Sequence, residues 1–352
     1  LTALASRALI FFLIVVGSQI AFLGKDYGNT IWRTQVDLSM ERLRPELTRM
    51  VMTGDAWYYR QIAADGYEPA NGGPRNTWAF FPLYPLVAGL IPGDYAIAAM
   101  LVSNLSFVIA MLLVAAAGLR LGSTEEEVER AVFFMAFFPT SYFFSMPMTE
   151  SLFLCVSAVS FYFAAKGKWW AAGLFGAAAA ATRLVGVLLL PALLFLPSKD
   201  RKQKAWLLLI PTATLGFMLY MQRHTGDALA FVHAQTLWNR GTWDWSLMAS
   251  KPWNFVLLNA AAAIFLAIAA VDLARKKQWA FAIYVAAAVA IPLSTGSVQS
   301  VARYALTVFP AFLWLAAKTS SRPLERLVSA TFLILLGWLI AMFVLRVDFA
   351  LA

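Results

Sequence analysis

The sequence predicts an all-α integral membrane protein built as a multi-span helical bundle. Of its 352 residues, 61% are hydrophobic and 13% are charged, and the mean hydropathy is +0.68. A soluble domain of this length could not bury so much apolar surface. Apolar runs recur along the whole chain, and short basic clusters separate them. No repeat, low-complexity stretch or second domain is visible, so residues 1–352 are predicted to form a single transmembrane domain.

The N-terminal part combines one predicted span with a long polar loop. The span is expected at Ser6–Leu23 and stays uncleaved, because no small-x-small cleavage site follows it. Residues 25–79 are predicted to form a first outer loop with amphipathic interfacial helices. One such helical stripe consists of Leu43, Leu47, Met50 and Val51. The apolar piece Ala79–Ile91 is interrupted by Pro82 and Pro85, and we expect it to be re-entrant or interfacial.

The later apolar runs predict the remaining spans, which lie at 95–119, 130–146, 150–165, 205–222, 253–274, 279–293, 303–317 and 327–345. The run Trp169–Leu196 has Arg183 at its middle and basic residues on both flanks, which predicts a hairpin of two short helices with Arg183 at the tip. Short loops assigned to the cytoplasm hold more than half of the 28 lysines and arginines, Arg7 among them. The positive-inside rule then predicts about eleven spans, with the N-terminus inside and residues 25–79 outside.

Composition disfavours several classes of site. The net charge of +9 is divided among short clusters between apolar runs, so the basic stripe that nucleic-acid binding needs is not expected. The single cysteine, Cys155, lies in an apolar run, and two histidines are too few for a histidine-rich metal centre. Asp55 and Glu150 could share a divalent ion, but two acids are thin support for such a site. No metal ligand and no cofactor are therefore assigned, and dependence on a divalent metal stays open.

The most polar and aromatic stretch of the chain is Gly54–Pro85. Within it, Asp55, Tyr59 and Ile62 lie at i, i+4 and i+7, which predicts one face of a helix. Gly66 is a natural stop for that helix. Asp55 could be an N-cap that accepts hydrogen bonds from free amide groups. An ionised carboxylate in an aromatic-lined pocket could instead act as a general base toward a substrate hydroxyl.

Three more ionisable residues lie near the predicted outer ends of spans, where charge is costly and usually serves pairing or function. Glu150 could be a first-turn acid favoured by the helix dipole, Arg183 could pair with Glu150 for structure alone, and Arg303 could anchor a helix end at the interface. Both arginines could also bind phosphate oxygens, because the guanidinium fork matches them bidentately. Fixed cations of this kind stabilise a phosphate leaving group in a dry site.

The phosphate donor is expected to be lipid-linked. The chain has no glycine-rich phosphate loop and no strand–helix alternation, so a nucleotide-sugar enzyme of the cytosolic kind is not predicted. One acid and two arginines beside a hydrophobic bundle fit a lipid-linked phosphate. Gln235 and Trp238 belong to the outer-loop motif FVHAQTLW, and an interfacial aromatic belt also accounts for Trp238.

Several motifs resemble, in order, the PIG-V family of membrane mannosyltransferases. They are GDAWYYRQIAADGY with WAFFPLYPL, FFPTSYFFSMPMTESLF, AAAATRLVGVLLLP, FVHAQTLW and SVQSVARYALTVFP. The resemblance covers about residues 50–312, and its most specific parts are the first block and TRLVG. It implies a GT-C type fold whose first long outer loop holds the catalytic acid. It also implies an inverting transfer of mannose from a polyprenyl-phosphate carrier.

Residue roles carried over from the family are expectations. Asp55 takes the acidic position of the first outer loop and is the expected base. The expected contacts to donor phosphate and sugar are Glu150, Arg183, Arg303, Tyr304 and Tyr59. The expected residues of the acceptor site or pocket are Trp57, Tyr67, Gln235 and Trp238. The family usually has tryptophan before the aspartate, where this chain has Gly54, so Trp57 or Trp78 is expected to supply any stacking.

These expectations describe a glycosyltransferase of a prokaryotic plasma membrane with its site on the outer face. Its expected partners are a polyprenyl-phosphate-linked sugar, membrane lipids and a glycolipid, lipoglycan or protein acceptor. A lipid-linked sugar flippase or transporter is the alternative from another class, although such folds commonly show repeats and a mid-membrane site. A catalytically inactive partner subunit is a third reading, which the full set of acid and arginines disfavours.

Overall fold

The computed structural model describes residues 1–25, 48, 50–69, 76–238, 251–294, 296 and 298–345, and these form helices and connecting turns without a β-strand. The α-helices are α1 Thr2–Lys25, α2 Ala56–Asp65, α3 Leu83–Gly89, α4 Tyr95–Arg120, α5 Glu125–Ala136, α6 Glu150–Ala165, α7 Trp169–Thr182, α8 Leu189–Leu194, α9 Leu209–Thr225, α10 Ala230–His233, α11 Trp253–Arg275, α12 Trp279–Ser294, α13 Val301–Leu306, α14 Phe309–Lys318 and α15 Arg322–Val344. Turns of 3₁₀ helix occupy Asn76–Ala79, Ser141–Ser145, Leu184–Leu188, Arg201–Leu208 and Ala234–Trp238. The predicted all-α class is confirmed for these residues.

Four helical segments of the described chain are long and apolar enough to cross a membrane. They are α4, α11, α15 and the continuous segment Arg201–Thr225, which ends with α9. Other apolar helices are shorter, among them α6 and α12. Because these segments need a bilayer to cover their exposed apolar side chains, the fold is that of a membrane protein. The number of about eleven spans stays a prediction.

The centre of the bundle is α6, which is buried along most of its length. Helices α4 and α7 pack on α6, and α11 packs on α12. Ser160 of α6 donates a hydrogen bond to the Ala172 carbonyl of α7 at 2.7 Å, which ties the two helices together. Glu150 is the first residue of α6, so its side chain is fixed by the most central helix of the fold.

Two predicted spans are interrupted, and proline is the physical reason in both. The span predicted at 130–146 ends as helix at Ala136, because Pro139 and Pro147 bracket a segment that forms only a short 3₁₀ turn. The span predicted at 303–317 divides into α13 and α14, and Pro310 lies in the first turn of α14. Both interruptions lie close in sequence to predicted site residues, Glu150 in the first case and Arg303 in the second.

Arg7 corrects the loop assignment used for the predicted topology. It lies inside α1 with only 5% of its surface exposed, so it is not a loop residue. Its guanidinium donates to the carbonyls of Ala136 at 2.8 Å and Ser141 at 2.7 Å and lies 4.2 Å from the ring centroid of Phe107. The end of α5 leaves carbonyl groups without intrahelical donors. Arg7 satisfies one of them, that of Ala136, and its bond to Ser141 fixes the interrupted segment to α1.

The predicted hairpin with Arg183 at its tip is confirmed. Helix α7 ends at Arg183, whose backbone is extended, and the chain then turns back through Leu184–Leu188. Gly186 permits this turn, because a Cβ there would lie 2.3 Å from the carbonyl carbon of Ala179. The amide of Gly186 donates to the carbonyl of Arg183 at 2.9 Å, which closes the tip.

The described part of the polar stretch Gly54–Pro85 contains the predicted helix, α2, and the start of α3. Helix α2 ends at Gly66 with a φ of +77°, which confirms the predicted stop. Helix α3 has seven residues and is therefore about 10 Å long, too short to cross a bilayer. Tyr84 of α3 fixes it to α4 by donating to the Ala99 carbonyl at 3.0 Å. The predicted stripe of Leu43, Leu47, Met50 and Val51 lies largely outside the described residues, since the first two are not described.

Candidate functional site

A cavity of about 570 Å³ lies where residues 54–59 and 79–81 meet the ends of several helices. Its walls come from α2, residues 79–81, the hairpin tip, residues 231–235, the end of α12, and the segment 299–304. Asp55, Tyr59, Arg183, Arg303 and Tyr304 all line it. With Gln235, which also lines the cavity, the structure gathers six of the predicted site residues, from distant parts of the chain, around one cavity.

Arg303 is the centre of a cluster of four charged side chains. Its Nη1 donates to Oδ2 of Asp55 at 2.9 Å. Its Nε and Nη2 donate to Oε1 of Glu150 at 3.0 Å and 2.6 Å. The same Glu150 oxygen accepts from Nη1 of Arg183 at 2.8 Å. Two carboxylates and two guanidinium groups therefore balance each other in charge.

The alternative of Asp55 as a helix cap is wrong. Asp55 occupies the N-cap position of α2, but its side chain makes no capping hydrogen bond and its backbone is already helical. Gly54 precedes it with a φ of +53°, a region that a residue with a Cβ enters at a cost of about 1–2 kcal/mol. This turn places the carboxylate in the cavity wall, where 29% of the side chain is exposed.

Glu150 is a counterion for both arginines and lies outside the cavity wall. Its side chain is fully buried, and Thr149 before it makes no capping hydrogen bond. All the hydrogen bonds that Glu150 accepts from the two arginines go to Oε1, while Oε2 is buried without a partner within the described residues. A carboxylate in this position fixes the two guanidinium groups relative to each other. Contact between Glu150 and a ligand is not required for that effect.

Arg183 retains hydrogen-bonding capacity toward the cavity. Within the described part of the chain only its Nη1 donates hydrogen bonds, to Glu150 and weakly to Thr149 at 3.4 Å. Its guanidinium carbon lies 4.7 Å from the ring centroid of Tyr304, which also lines the cavity. The ring supports the guanidinium plane through a cation–π contact. The remaining N–H groups are available to an anion.

Two buried polar residues that sequence reasoning missed hold Arg303 in place. Oδ1 of Asn259 accepts from the amide of Ala302 at 3.0 Å, and Oγ1 of Thr140 donates to the Ala302 carbonyl at 3.0 Å. Both side chains are nearly fully buried. They clamp the backbone immediately before Arg303. The signal in the sequence is an asparagine inside the apolar run WNFVLLNAAAAIF, because a polar residue in such a run usually faces the bundle interior.

One wall of the cavity is aromatic. The rings of Tyr58 and Phe80 stack with centroids 5.1 Å apart at an interplanar angle of 19°. Both line the cavity, as do Phe81 and Phe231, and sequence reasoning missed these four. Gln235 also lines the cavity, as expected from the sequence. An aromatic wall with one amide suits the apolar face and hydroxyl groups of a sugar ring.

Among the other predicted pocket residues whose side chains are described, none lines the cavity. Trp57 is half exposed and lies on another face of α2, since residues two apart on a helix point away from each other. Tyr67 is buried and donates to the Phe80 carbonyl at 2.8 Å, so it supports the aromatic wall from behind. Trp78 is buried and donates through Nε1 to the Glu68 carbonyl at 2.7 Å. The Trp238 side chain lies outside the described residues.

No protein-family model matches this chain, and no curated protein shows significant similarity to it.

A second wall of the cavity is aliphatic and comes from the hairpin tip and from α12. Leu184 and Val185 follow Arg183 directly, and Ile291 and Pro292 face them from the end of α12. The cavity therefore offers an anion site flanked by an aromatic wall and an aliphatic wall. In the described residues, no group of three or more histidine, cysteine, aspartate or glutamate side chains is placed to hold a metal ion.

Tyr59 is a cavity residue near Asp55 in sequence that could compete with it for protons. Burial raises the pKa of Tyr59, and the negative charge of Asp55 raises it further. The phenol therefore stays neutral at physiological pH. Among Asp55, Tyr59 and the two arginines in the wall, Asp55 is the group suited to accept a proton.

Proposed function

We propose that this protein is a membrane glycosyltransferase of the PIG-V type, with a GT-C fold of about eleven spans. It transfers mannose from a polyprenyl-phosphate-mannose donor to a hydroxyl of an acceptor on the outer face of a prokaryotic plasma membrane. The observation that carries the proposal is one cavity whose wall holds a partly exposed carboxylate and two arginines. The choice of mannose rests on the motif resemblance.

The proposed reaction is a single displacement with inversion. The acceptor oxygen forms a bond to the anomeric carbon while the bond from that carbon to the phosphate oxygen breaks. Asp55 receives the acceptor proton, and the bonding electrons leave with the phosphate. Arg183 and Arg303 stabilise the negative charge that grows on the leaving group, because fixed cations in a dry site need no reorganisation. Glu150 keeps both guanidinium groups oriented.

The two cavity walls fit a donor with a sugar and an aliphatic chain on either side of a phosphate. The stacked rings of Tyr58 and Phe80 offer a platform for the sugar. Leu184, Val185 and Ile291 offer an apolar surface beside the arginines for the first units of the polyprenyl chain. A nucleotide donor would instead call for a glycine-rich loop, which the sequence lacks.

The test is transfer of labelled mannose from a synthetic polyprenyl-phosphate mannose to membrane glycolipids, comparing the parent with Asp55→Asn. We expect Asp55→Asn to lose transfer by about 100-fold or more, the range of general-base catalysis. Asp65→Asn is the matched control, because Asp65 is exposed at the other end of α2 and does not line the cavity. The control should transfer at the parental rate.

Equal transfer by Asp55→Asn and the parent would remove Asp55 as the base. Absence of transfer in both, with movement of the labelled lipid between the leaflets of liposomes, would replace the transferase by a flippase. Donors that carry glucose or galactose on the same lipid test the sugar separately. A preference for one of them over mannose would correct the sugar and leave the reaction class in place.

A further inference from the structure

The charge balance of the cluster poses a problem for any anion that enters the cavity. Asp55 and Glu150 already neutralise Arg183 and Arg303. A phosphate that joins this cluster makes it net negative, which is costly in a partly buried site. One carboxylate must therefore give up its partner or take up a proton when the phosphate binds.

The structure indicates which of the two carboxylates gives up its arginine partner. Glu150 is fully buried and accepts three hydrogen bonds from two guanidinium groups through one oxygen. Asp55 is held to the arginines by a single contact, from Nη1 of Arg303, and its side chain is partly exposed in the cavity wall. Releasing Asp55 costs one charge-assisted hydrogen bond, whereas releasing Glu150 costs three and leaves a buried charge unpaired.

We propose that a bound phosphate takes over Nη1 of Arg303 from Asp55, so that phosphate binding and protonation of Asp55 are coupled. This inference rests on the proposed function and adds an order of events to it. In the resting protein Nη1 of Arg303 donates a hydrogen bond to the Asp55 carboxylate. Donor binding removes that hydrogen bond and places a negative phosphate near the carboxylate, and both changes favour its protonated form. An Asp55 side chain that has taken up a proton from solvent must release it before it can accept the acceptor's proton, so the ionised fraction of the donor complex is the form that reacts.

The groups around Asp55 make it the titrating partner in this exchange. They are Tyr58 and Tyr59 from α2, Glu150 from α6, Arg183 from the hairpin tip, and Arg303 and Tyr304 from α13. Burial raises the pKa of both Tyr58 and Tyr59, so these phenols keep their protons between pH 5 and 8. Arginine stays charged throughout that range. Glu150 keeps its two guanidinium partners in both states.

The experiment measures binding of a short isoprenyl methyl phosphodiester to the full chain in detergent, by calorimetry between pH 5.5 and 7.5. A phosphodiester has a constant single charge in this range, so the probe itself takes up no proton. Buffers with different ionisation enthalpies report the protons taken up on binding. For complete coupling to one proton, the parent should bind up to about tenfold more weakly for each unit of rising pH.

Asp55→Asn and Asp55→Ala separate the coupling from simple charge attraction. Both should bind the probe about tenfold or more tightly than the parent at pH 7.5, because Arg303 no longer has to leave a carboxylate. Both should show no pH dependence and no proton uptake. Asp65→Asn should behave like the parent. The alanine variant covers the case in which the asparagine amide oxygen keeps the contact with Arg303.

Three outcomes contradict the inference, and they differ in what else they affect. If the parent binds with a flat pH profile and the Asp55 variants bind equally well, the phosphate lies on Arg183 alone and the proposed transferase stands. If the Asp55 variants bind more weakly, Asp55 assists the phosphate and does not compete with it. If folded parent protein binds no phosphodiester, both the coupling and the lipid-phosphate donor are rejected.

Discussion

Replacing Gly186 by alanine should displace Arg183 and remove most of the transfer activity. A Cβ at this position would lie 2.3 Å from the carbonyl carbon of Ala179 and 2.4 Å from the nitrogen of Ala180. Both are backbone atoms of α7, and ordinary contacts begin at 3.4 Å. The hairpin tip must therefore open by roughly 1 Å, because close-packed backbone cannot yield as a side chain does.

The Gly186→Ala substitution is expected to lower both the stability of the protein and its rate of transfer. Forcing one methyl group into a packed site destabilises a protein by about 1–3 kcal/mol. A displacement of about 1 Å in a reacting geometry can lower the rate by about 100-fold. Because the Gly186 amide is bonded to the Arg183 carbonyl, the movement reaches Arg183 directly. We therefore expect a modest loss of stability and a large loss of transfer.

The assay pairs a thermal unfolding curve in detergent with the initial rate of mannose transfer. Gly216→Ala is the matched control, since a Cβ at Gly216 meets no atom within 4 Å in the middle of α9. There alanine should raise stability by up to about 1 kcal/mol and leave transfer unchanged. A Gly186→Ala protein that unfolds earlier but transfers at the parental rate would show that the tip does not set the position of a catalytic group.

Two further changes test the arginines and their support. Arg183→Lys keeps the positive charge but loses the planar fork of the guanidinium group. We therefore expect it to bind the phosphodiester probe at least tenfold more weakly. Unchanged binding would remove Arg183 from the phosphate site. Asn259→Leu leaves the buried Ala302 amide unpaired, which should lower the free energy of unfolding by about 1–3 kcal/mol and also lower the rate of transfer. Thr140→Ser keeps the hydroxyl group that donates to the Ala302 carbonyl, so it should change stability and transfer little. An Asn259→Leu protein of lowered stability with parental transfer would limit the clamp to a structural role.

Local sequence was sufficient for features that depend on nearest neighbours. The stop of α2 at Gly66 and the turn at Arg183 were both predictable, because glycine and a charge inside an apolar run are strong local signals. The pairing of charges was not predictable from such signals. Arg303 and Asp55 are 248 positions apart, and Arg303 and Glu150 are 153 apart. Only tertiary packing decides which acid meets which arginine.

The missed residues depend on the same kind of long-range information. Arg7 resembles a loop residue at a span end, and its partners are carbonyl groups that become free only because α5 ends at Ala136. Aromatic stacking was expected from Trp57 or Trp78, because of their positions in the motifs. The helical face that carries Asp55 and Tyr59 instead includes Tyr58, and its stacking partner Phe80 belongs to another segment.

The four charged residues share a position in the fold that accounts for their burial. Each lies where a helix begins or is interrupted: Asp55 at the start of α2, Glu150 at the start of α6, Arg183 after α7 and Arg303 within the short α13. Irregular backbone inside a membrane bundle is tolerated where protein covers it or where it lines a cavity. A buried ion-pair cluster is also no more stabilising than packed apolar side chains of similar volume. Interrupted helices and buried charges at one cavity are thus both stability costs, and the ligand that we propose, which would use the freed polar groups, would account for a chain that carries them together.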